Sequence, residues 1–173
     1  MRRLAPLLVA AAVLAPGLSR AELENEVKAA YLYRFLSYLE WPEPDLDGDD
    51  SPIVIGVVGA DDVYDALKDI VQGRSAQGRS IEVRRLNEGD DTLGVHMVFV
   101  GRSAAGSLGK LASRKAIVVG EVEGALRHGA TINLLRTSDH VRFEVAPKEA
   151  ERKGVRISSR MLAVAAHVET GSP

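Results

Sequence analysis

Three Gly-Arg-Ser triplets carry the residue types best suited to hold a charged ligand, at Gly73–Ser75, Gly78–Ser80 and Gly101–Ser103. Arginine side chains and the free N–H groups at a helix N-terminus bind oxyanions such as phosphate or carboxylate. The third triplet is the best placed, because it follows an apolar run typical of a strand and precedes a helical stretch. It lacks the lysine of a phosphate-binding loop, so ordinary loop chemistry is the alternative interpretation.

The four histidines, His96, His128, His140 and His167, are the other candidates for chemistry. None is spaced from another histidine or a carboxylate as the ligands of a metal site are. The pattern puts His96 in a strand and His167 in a helix. No G-x-S-x-G turn for a nucleophilic serine occurs, and the chain contains no cysteine. The sequence therefore predicts no catalytic residues, no metal site and no cofactor.

Aromatic residues concentrate in one segment that ends at the single tryptophan. They either pack a helix onto the core or form an exposed surface for a partner, since aromatic residues and arginine are favoured at interface hot spots. Two arginines near the C-terminus belong either to a solvated rim or to the same surface. The candidate partner-binding residues are Tyr31, Phe35, Tyr38, Trp41, Arg156 and Arg160.

Composition restricts the class of protein. The 173 residues are 46% hydrophobic and 27% charged, with a formal net charge of -2. These values are typical of one globular domain and argue against a disordered chain or a multi-pass membrane protein. A nucleic-acid-binding protein would usually show a basic excess. This chain has 22 basic and 24 acidic residues, so nucleic acid is not an expected partner. Without cysteines, neither disulfides nor thiolate metal sites are available.

The N-terminus has the pattern of a targeting segment. Arg2 and Arg3 precede an apolar run over 4–18, and Ser19 and Ala21 provide the small residues that signal peptidase requires. We expect cleavage between Ala21 and Glu22, which makes residues 1–21 a signal peptide and 22–173 a periplasmic domain. The alternative is an uncleaved membrane anchor, for which the run is short and contains two prolines.

The remaining elements alternate between strands and helices, which predicts an α/β domain of three layers with a partly parallel sheet. Continuous apolar runs indicate strands buried on both faces. An alternating segment late in the chain predicts an antiparallel hairpin in the C-terminal third. The predicted strands are Ile53–Val58, Ile81–Leu86, Val95–Val100, Ala116–Val119, Thr131–Leu135, His140–Val145 and Val155–Ile157. The predicted helices are Glu22–Glu40, Val63–Val71, Ala104–Ser113, a short one after Pro147, and Ser158–Val168.

A ligand would bind such a sheet in the crevice at the carboxyl ends of its parallel strands. The loops that follow the first three buried runs therefore line this crevice, and Gly120–Glu121 lies in the last of them. The candidate ligand-binding residues are Gly59, Asp61, Gly101, Arg102 and Ser103.

Six segments occur in an order and spacing that resemble the YfiR family of periplasmic proteins, and together they cover nearly all of the chain after residue 22. Each segment is weakly specific alone, and the six together are fairly specific. They are Lys28–Pro42, Ile53–Asp62, Gly78–Leu86, Val95–Ser103, Gly129–Val145 and Gly154–Ala165.

The resemblance implies a single Rossmann-like domain without catalytic activity. It implies a repressor that binds the periplasmic sensor domain of an inner-membrane diguanylate cyclase, with cyclic di-GMP and biofilm formation downstream. An OmpA-like outer-membrane lipoprotein would sequester it, a homodimer is typical, and it would meet the membrane only through protein partners. Some relatives instead accompany sensor histidine kinases. This chain departs from relatives that carry cysteines, so disulfide-based redox control is not expected.

Two other functions stay open at this point. One is a periplasmic small-molecule-binding sensor that uses the crevice, with or without a histidine kinase partner. The other is an enzyme, which would require a serine and a histidine within hydrogen-bonding distance.

Overall fold

The structure, a computed structural model, describes residues 19–42, 51–138 and 140–170. The helices are α1 (Arg20–Phe35), α2 (Asp61–Val71), α3 (Leu108–Ala112), α4 (Pro147–Arg152) and α5 (Ser159–Val164), with 3-10 turns at Arg102–Ser107 and Ala125–His128. The strands are β1 (Leu39–Glu40), β2 (Ile53–Val58), β3 (Ser75–Ala76), β4 (Arg79–Leu86), β5 (Met97–Val100), β6 (Ile117–Gly120), β7 (Ile132–Arg136), β8 (Val141–Val145), β9 (Arg156–Ile157) and β10 (His167–Val168).

Eight of these strands form one mixed sheet in the order β10-β8-β7-β6-β5-β2-β4-β3. The five strands from β7 to β4 are mutually parallel, β8 runs antiparallel to β7, and β3 runs antiparallel to β4. β1 and β9 form a separate two-stranded antiparallel sheet. The predicted α/β class, the partly parallel sheet and the C-terminal hairpin are confirmed.

The core lies on both faces of the central strands. Ile53, Ile55 and Val57 of β2 join one hydrophobic cluster with α1 and α2, whereas Val54 and Val58 join a second cluster with α3. All six residues of β2 are buried, which is why its sequence is continuously apolar rather than alternating. Helices on both faces of one sheet make the three layers.

The order in which successive strands take their places in the sheet changes direction at β2, although the strands stay parallel. From β2 the chain passes through α2 to β4 on one side and then crosses to β5 on the other side. The loops after β2 and β5 therefore leave the sheet towards opposite faces, which opens a crevice at the carboxyl ends of these two strands.

Two helix predictions are wrong in part. The first helix ends at Phe35 instead of Glu40, because residues 39 and 40 pair with β9 as the strand β1. The last helix ends at Val164 instead of Val168, because His167 and Val168 pair with β8 as β10. His167 consequently lies in a strand, and the strand predicted at Val155–Ile157 belongs to the small sheet. In both helices, pairing with a distant strand overrides local helical periodicity.

Other predicted bounds shift only at their ends, and Ala104–Ser113 divides into a 3-10 turn and α3. The signal peptide prediction lies mostly outside the described residues. Within them, Ser19 caps α1 and Arg20 begins it, so the predicted cleavage site falls in the first turn of that helix. No helix in the described part of the chain is both long and apolar enough to span a membrane.

Candidate ligand crevice and partner surface

The crevice at the carboxyl ends of β2 and β5 is held by two loops that touch. The Ser103 hydroxyl donates to the Gly59 carbonyl oxygen at 2.8 Å. A Cβ atom on Gly101 would lie 2.2 Å from that same carbonyl oxygen. Gly59 itself has φ +64, and a Cβ there would lie 2.6 Å from the Ser103 hydroxyl. Both glycines are thus required by the close approach of the loops.

The remaining space at this crevice is a shallow cavity of about 260 Å³. Four of the five predicted ligand-binding residues line it, namely Gly59, Asp61, Arg102 and Ser103. Gly101 is buried behind them, and its N–H donates to the Val58 carbonyl at 2.8 Å. The structure therefore gathers the predicted set at one place, where the acidic first turn of α2 faces an exposed arginine.

A network of charged side chains closes the crevice on the side of α1. Lys28 Nζ lies 2.8 Å from Glu24 Oε1 and 2.7 Å from Glu121 Oε2. The Arg102 backbone N–H donates to Glu121 Oε1 at 3.0 Å, and Arg136 Nε lies 3.3 Å from Glu24 Oε2. We name these five residues the α1 charge network. It joins the first helix to the ends of β6 and β7 and to the loop after β5.

Burial makes this network energetically important. The side chains of Lys28 and Glu121 are only 8% and 7% exposed. A buried ion is stable only when its partners compensate for lost hydration. The hydrogen bond with Lys28 holds the pKa of the Glu24 carboxyl below its ordinary value, although burial opposes this shift. The sequence pattern predicts Glu121 at the crevice, whereas nothing in it indicates Lys28, Glu24 or Arg136.

A second, larger cavity of about 660 Å³ adjoins the first and shares Arg102 and Glu121 with it. Its lining combines three arginines with four carboxylates and His167. Beside it, the buried Asn133 donates from Nδ2 to Glu144 Oε1 and to the Val122 carbonyl, each at 2.9 Å. The two cavities together form a polar, mixed-charge region, in which Arg102 is half exposed.

Three predicted partner-binding residues line one apolar groove of about 270 Å³ between α1, β8 and α5, namely Tyr31, Phe35 and Tyr38. Phe35 is only 2% exposed, and its ring centroid lies 5.2 Å from that of Phe143 in an edge-to-face arrangement. The Tyr31 hydroxyl donates to the Val141 carbonyl at 3.1 Å. Phe35 thus forms the floor of the groove, and the two tyrosines form its half-buried wall.

The rim of this groove is more open. Val164 of α5, which is not among the predicted residues, is 64% exposed. Arg34 also lines the groove and is exposed, and Arg160 is exposed four positions before Val164 in the chain. The sequence gives little indication that Val164 is exposed, because an apolar residue at the end of a short helix resembles an ordinary core position.

The last two predicted partner-binding residues lie elsewhere. The Trp41 ring packs edge-to-face against His96, with centroids 6.0 Å apart, at the amino end of β5. Arg156 pairs with Glu40 at 2.7 Å across the β1–β9 sheet, although its side chain is 82% exposed. The structure therefore separates Trp41 and Arg156 from the groove.

The sequence profile of the YfiR/HmsC-like family matches residues 25–166, which is most of the chain. The match includes the lining of the smaller cavity and of the groove, and all of the α1 charge network except Glu24. The chain belongs to the YfiR/HmsC-like family. This family is regulatory and non-catalytic, and it is associated with diguanylate cyclase signalling. A search of curated proteins finds no match.

The fold of this YfiR/HmsC-like protein also resembles a solved structure. It is similar to a conserved domain protein from Vibrio cholerae O1 biovar El Tor, with a TM-score of 0.52 and 14% sequence identity. The alignment covers 83% of this chain and 60% of the Vibrio chain. At that identity the similarity supports the fold alone.

Proposed function

We propose that this protein is a periplasmic repressor without enzymatic activity, which binds the periplasmic sensor domain of an inner-membrane diguanylate cyclase and lowers cyclic di-GMP synthesis. The family match over residues 25–166 is the observation that carries the proposal. A homodimer, release of repression by an OmpA-like outer-membrane lipoprotein, and export by a signal peptide cut between Ala21 and Glu22 complete it. A sensor histidine kinase is the alternative receptor.

The groove beside α5 is the surface we assign to the receptor. Its tyrosine walls and exposed Val164 offer apolar contact area, and Arg34 in its lining offers a charged contact. Interface hot spots are rich in tyrosine and arginine and lie in pockets from which binding expels water. A repressor must bind one state of its receptor more tightly, and a complete population shift requires roughly 5.5 kcal/mol of differential affinity.

Val164→Glu tests this assignment, because a carboxylate placed against the apolar groove would lose hydration on binding. The matched control is Leu93→Glu in the loop before β5, since Leu93 is 84% exposed and lies outside the groove. Binding to the purified sensor domain of a diguanylate cyclase from the same organism is measured by biolayer interferometry. We expect V164E to weaken binding by at least about tenfold, which corresponds to 1.4 kcal/mol, and L93E to leave it unchanged.

Cellular cyclic di-GMP gives the second measurement. Deletion of the gene should raise the cellular concentration of cyclic di-GMP. Expression of the wild-type protein or of L93E should return the concentration to its original low level, whereas expression of V164E should not. If no sensor domain binds and deletion leaves cyclic di-GMP unchanged, the repressor proposal is wrong. If the protein binds only the sensor domain of a histidine kinase, the proposal that it represses a membrane receptor stands, and the proposal that cyclic di-GMP is the messenger is wrong.

A small-molecule sensor is the second candidate function, favoured by the two adjoining cavities that share Arg102 and Glu121. A small polar ligand there would contact an exposed guanidinium and an acidic helix turn at once. A thermal-shift screen of small polar metabolites tests it, with Arg102→Ala as the variant that should lose any rise in melting temperature. A screen without any shift would count against this function.

A further inference from the structure

The outer edge of β4 is an open stretch of backbone in the described part of the chain. β4 pairs with β2 along Ile81–Leu86, while β3 covers its other side only at Arg79 and Ser80. Five or six residues of edge backbone thus have no strand beside them among the described residues. Proteins usually blunt such edges with charges, prolines or bulges, because an open edge pairs with other chains.

The charges on β4 would not prevent this strand from pairing with the same strand of a second copy, because they include both signs. Glu82 and Arg84 point to the same face of the sheet, since they are two residues apart. Their side chains are 44% and 41% exposed, and Glu82 Oε1 lies 2.6 Å from Arg84 Nε. This pair offers one negative and one positive group in succession along the edge.

We propose that two copies of this protein pair antiparallel through the β4 edge around a two-fold axis at Val83. Residues directly opposite in such a pair have positions that sum to twice the number of the central residue. A centre at residue 82 or 84 would oppose like charges. The centre at Val83 places Glu82 opposite Arg84 of the second copy, and this contact occurs twice. Opposite charges in cross-strand pairs stabilise a sheet.

Two further features agree with this register. It pairs residues 81 to 85 and ends where β3 begins to cover the strand. It places Ile81 opposite Arg85 of the second copy, whose charge is already balanced by Asp61 and Asp65 of α2 at 3.3 Å and 3.2 Å. The inference names a surface for the homodimer in the proposed function, and its test requires no receptor.

Sedimentation velocity of the purified chain gives the first test. Glu82→Arg should raise the dimer dissociation constant by about tenfold, because two pairs of like charges then face each other. The double variant E82R/R84E should restore the wild-type constant, since it exchanges the two signs. The matched control is Glu88→Arg, which makes the same charge change in the exposed turn after β4. A monomeric wild type, or a dimer unaffected by E82R, would overturn the proposal.

Cross-linking tests the register itself, and the absence of native cysteines keeps the background clean. An oxidised mixture of Glu82→Cys and Arg84→Cys chains should form a disulfide between the two variants, since directly opposite residues have Cβ atoms about 5 Å apart. Each variant alone should not, because the diagonal Cα separation exceeds the roughly 7 Å limit for a disulfide. Self-cross-linking of either single variant, or none in the mixture, would exclude this register.

Discussion

Lys28 of α1 and Glu121 at the end of β6 form an ion pair of 2.7 Å in which each side chain is more than nine-tenths buried. Each ion has a second partner: Lys28 contacts Glu24, and Glu121 accepts from the Arg102 backbone N–H. Through these contacts the first helix, the crevice loop and the central sheet share one set of charges. A change at the crevice that displaced Glu121 would therefore alter how α1 is held.

Glu121→Gln should lower the free energy of unfolding by about 3 kcal/mol, because it removes one of the two carboxylates that compensate the buried ammonium of Lys28. Urea denaturation measures this change. Glu123→Gln is the control, since Glu123 is exposed two residues away, and it should change stability by less than about 0.5 kcal/mol. Equal effects of the two variants would show that the buried pair contributes little to stability.

Stability should also depend on acid pH through Glu24. Its pKa in the folded protein is depressed by the hydrogen bond from Lys28, whereas an unfolded glutamate has a pKa of about 4.3. The stabilisation is therefore complete above that value and is lost as pH falls through the lower folded pKa. Melting temperatures between pH 6 and 3 should fall more steeply for wild type than for Glu24→Gln. Glu26→Gln, on the exposed side of α1, should follow wild type.

Gly101→Ala tests the close approach of the crevice loops. Its Cβ would lie 2.2 Å from the Gly59 carbonyl oxygen, so the loops must separate, at a cost of about 1–3 kcal/mol. Gly106→Ala in the following 3-10 turn is the matched control, because nothing lies within 4 Å of the added Cβ. Chemical denaturation of the two variants gives the comparison, and an equally mild effect at both sites would contradict the packing argument.

The hydrogen bonds at the beginning of α1 predict that the first turn of this helix is less stable in a chain that lacks Ser19. Ser19 accepts from the Glu22 N–H at 3.2 Å, and the Glu22 carboxylate accepts from the Ser19 N–H at 2.6 Å, which completes a capping box. A chain that starts at Glu22 loses this cap and gains a positive amino group at the helix N-terminus, both of which are unfavourable. Hydrogen exchange of the first-turn amides should be several-fold faster than in a chain that retains the residues before Ser19.

Ser19→Ala in the longer chain separates the two causes, because it removes the side-chain cap and keeps the added charge away from the helix. Its first-turn amides should exchange faster than those of the longer wild-type chain, but more slowly than those of the chain that starts at Glu22. Identical exchange in all three chains would show that tertiary contacts alone hold the first turn.

The sequence was most informative where local chemistry decides structure. The apolar runs around Ile55 and Val98 predicted buried parallel strands, and the glycines after them predicted the crevice. It was least informative for contacts between distant segments. Nothing in the neighbourhood of Lys28 indicates Glu121, and the two residues meet only once the sheet has formed. The same limit explains why residues 39–40 and 167–168 were predicted as helix.

The pairing of β1 with β9 has a consequence for the order of folding. The two strands are bridged by Glu40 and Arg156, which stand 116 positions apart, and the Ser158 N–H donates to the Tyr38 carbonyl. A contact of such long range forms late, because closing the loop between its partners costs entropy. During vectorial synthesis or export, the segment that follows α1 can form β1 only after the last quarter of the chain, which contains β9, has emerged. Residues 39 and 40 thus have no strand partner until β9 arrives to complete the small sheet.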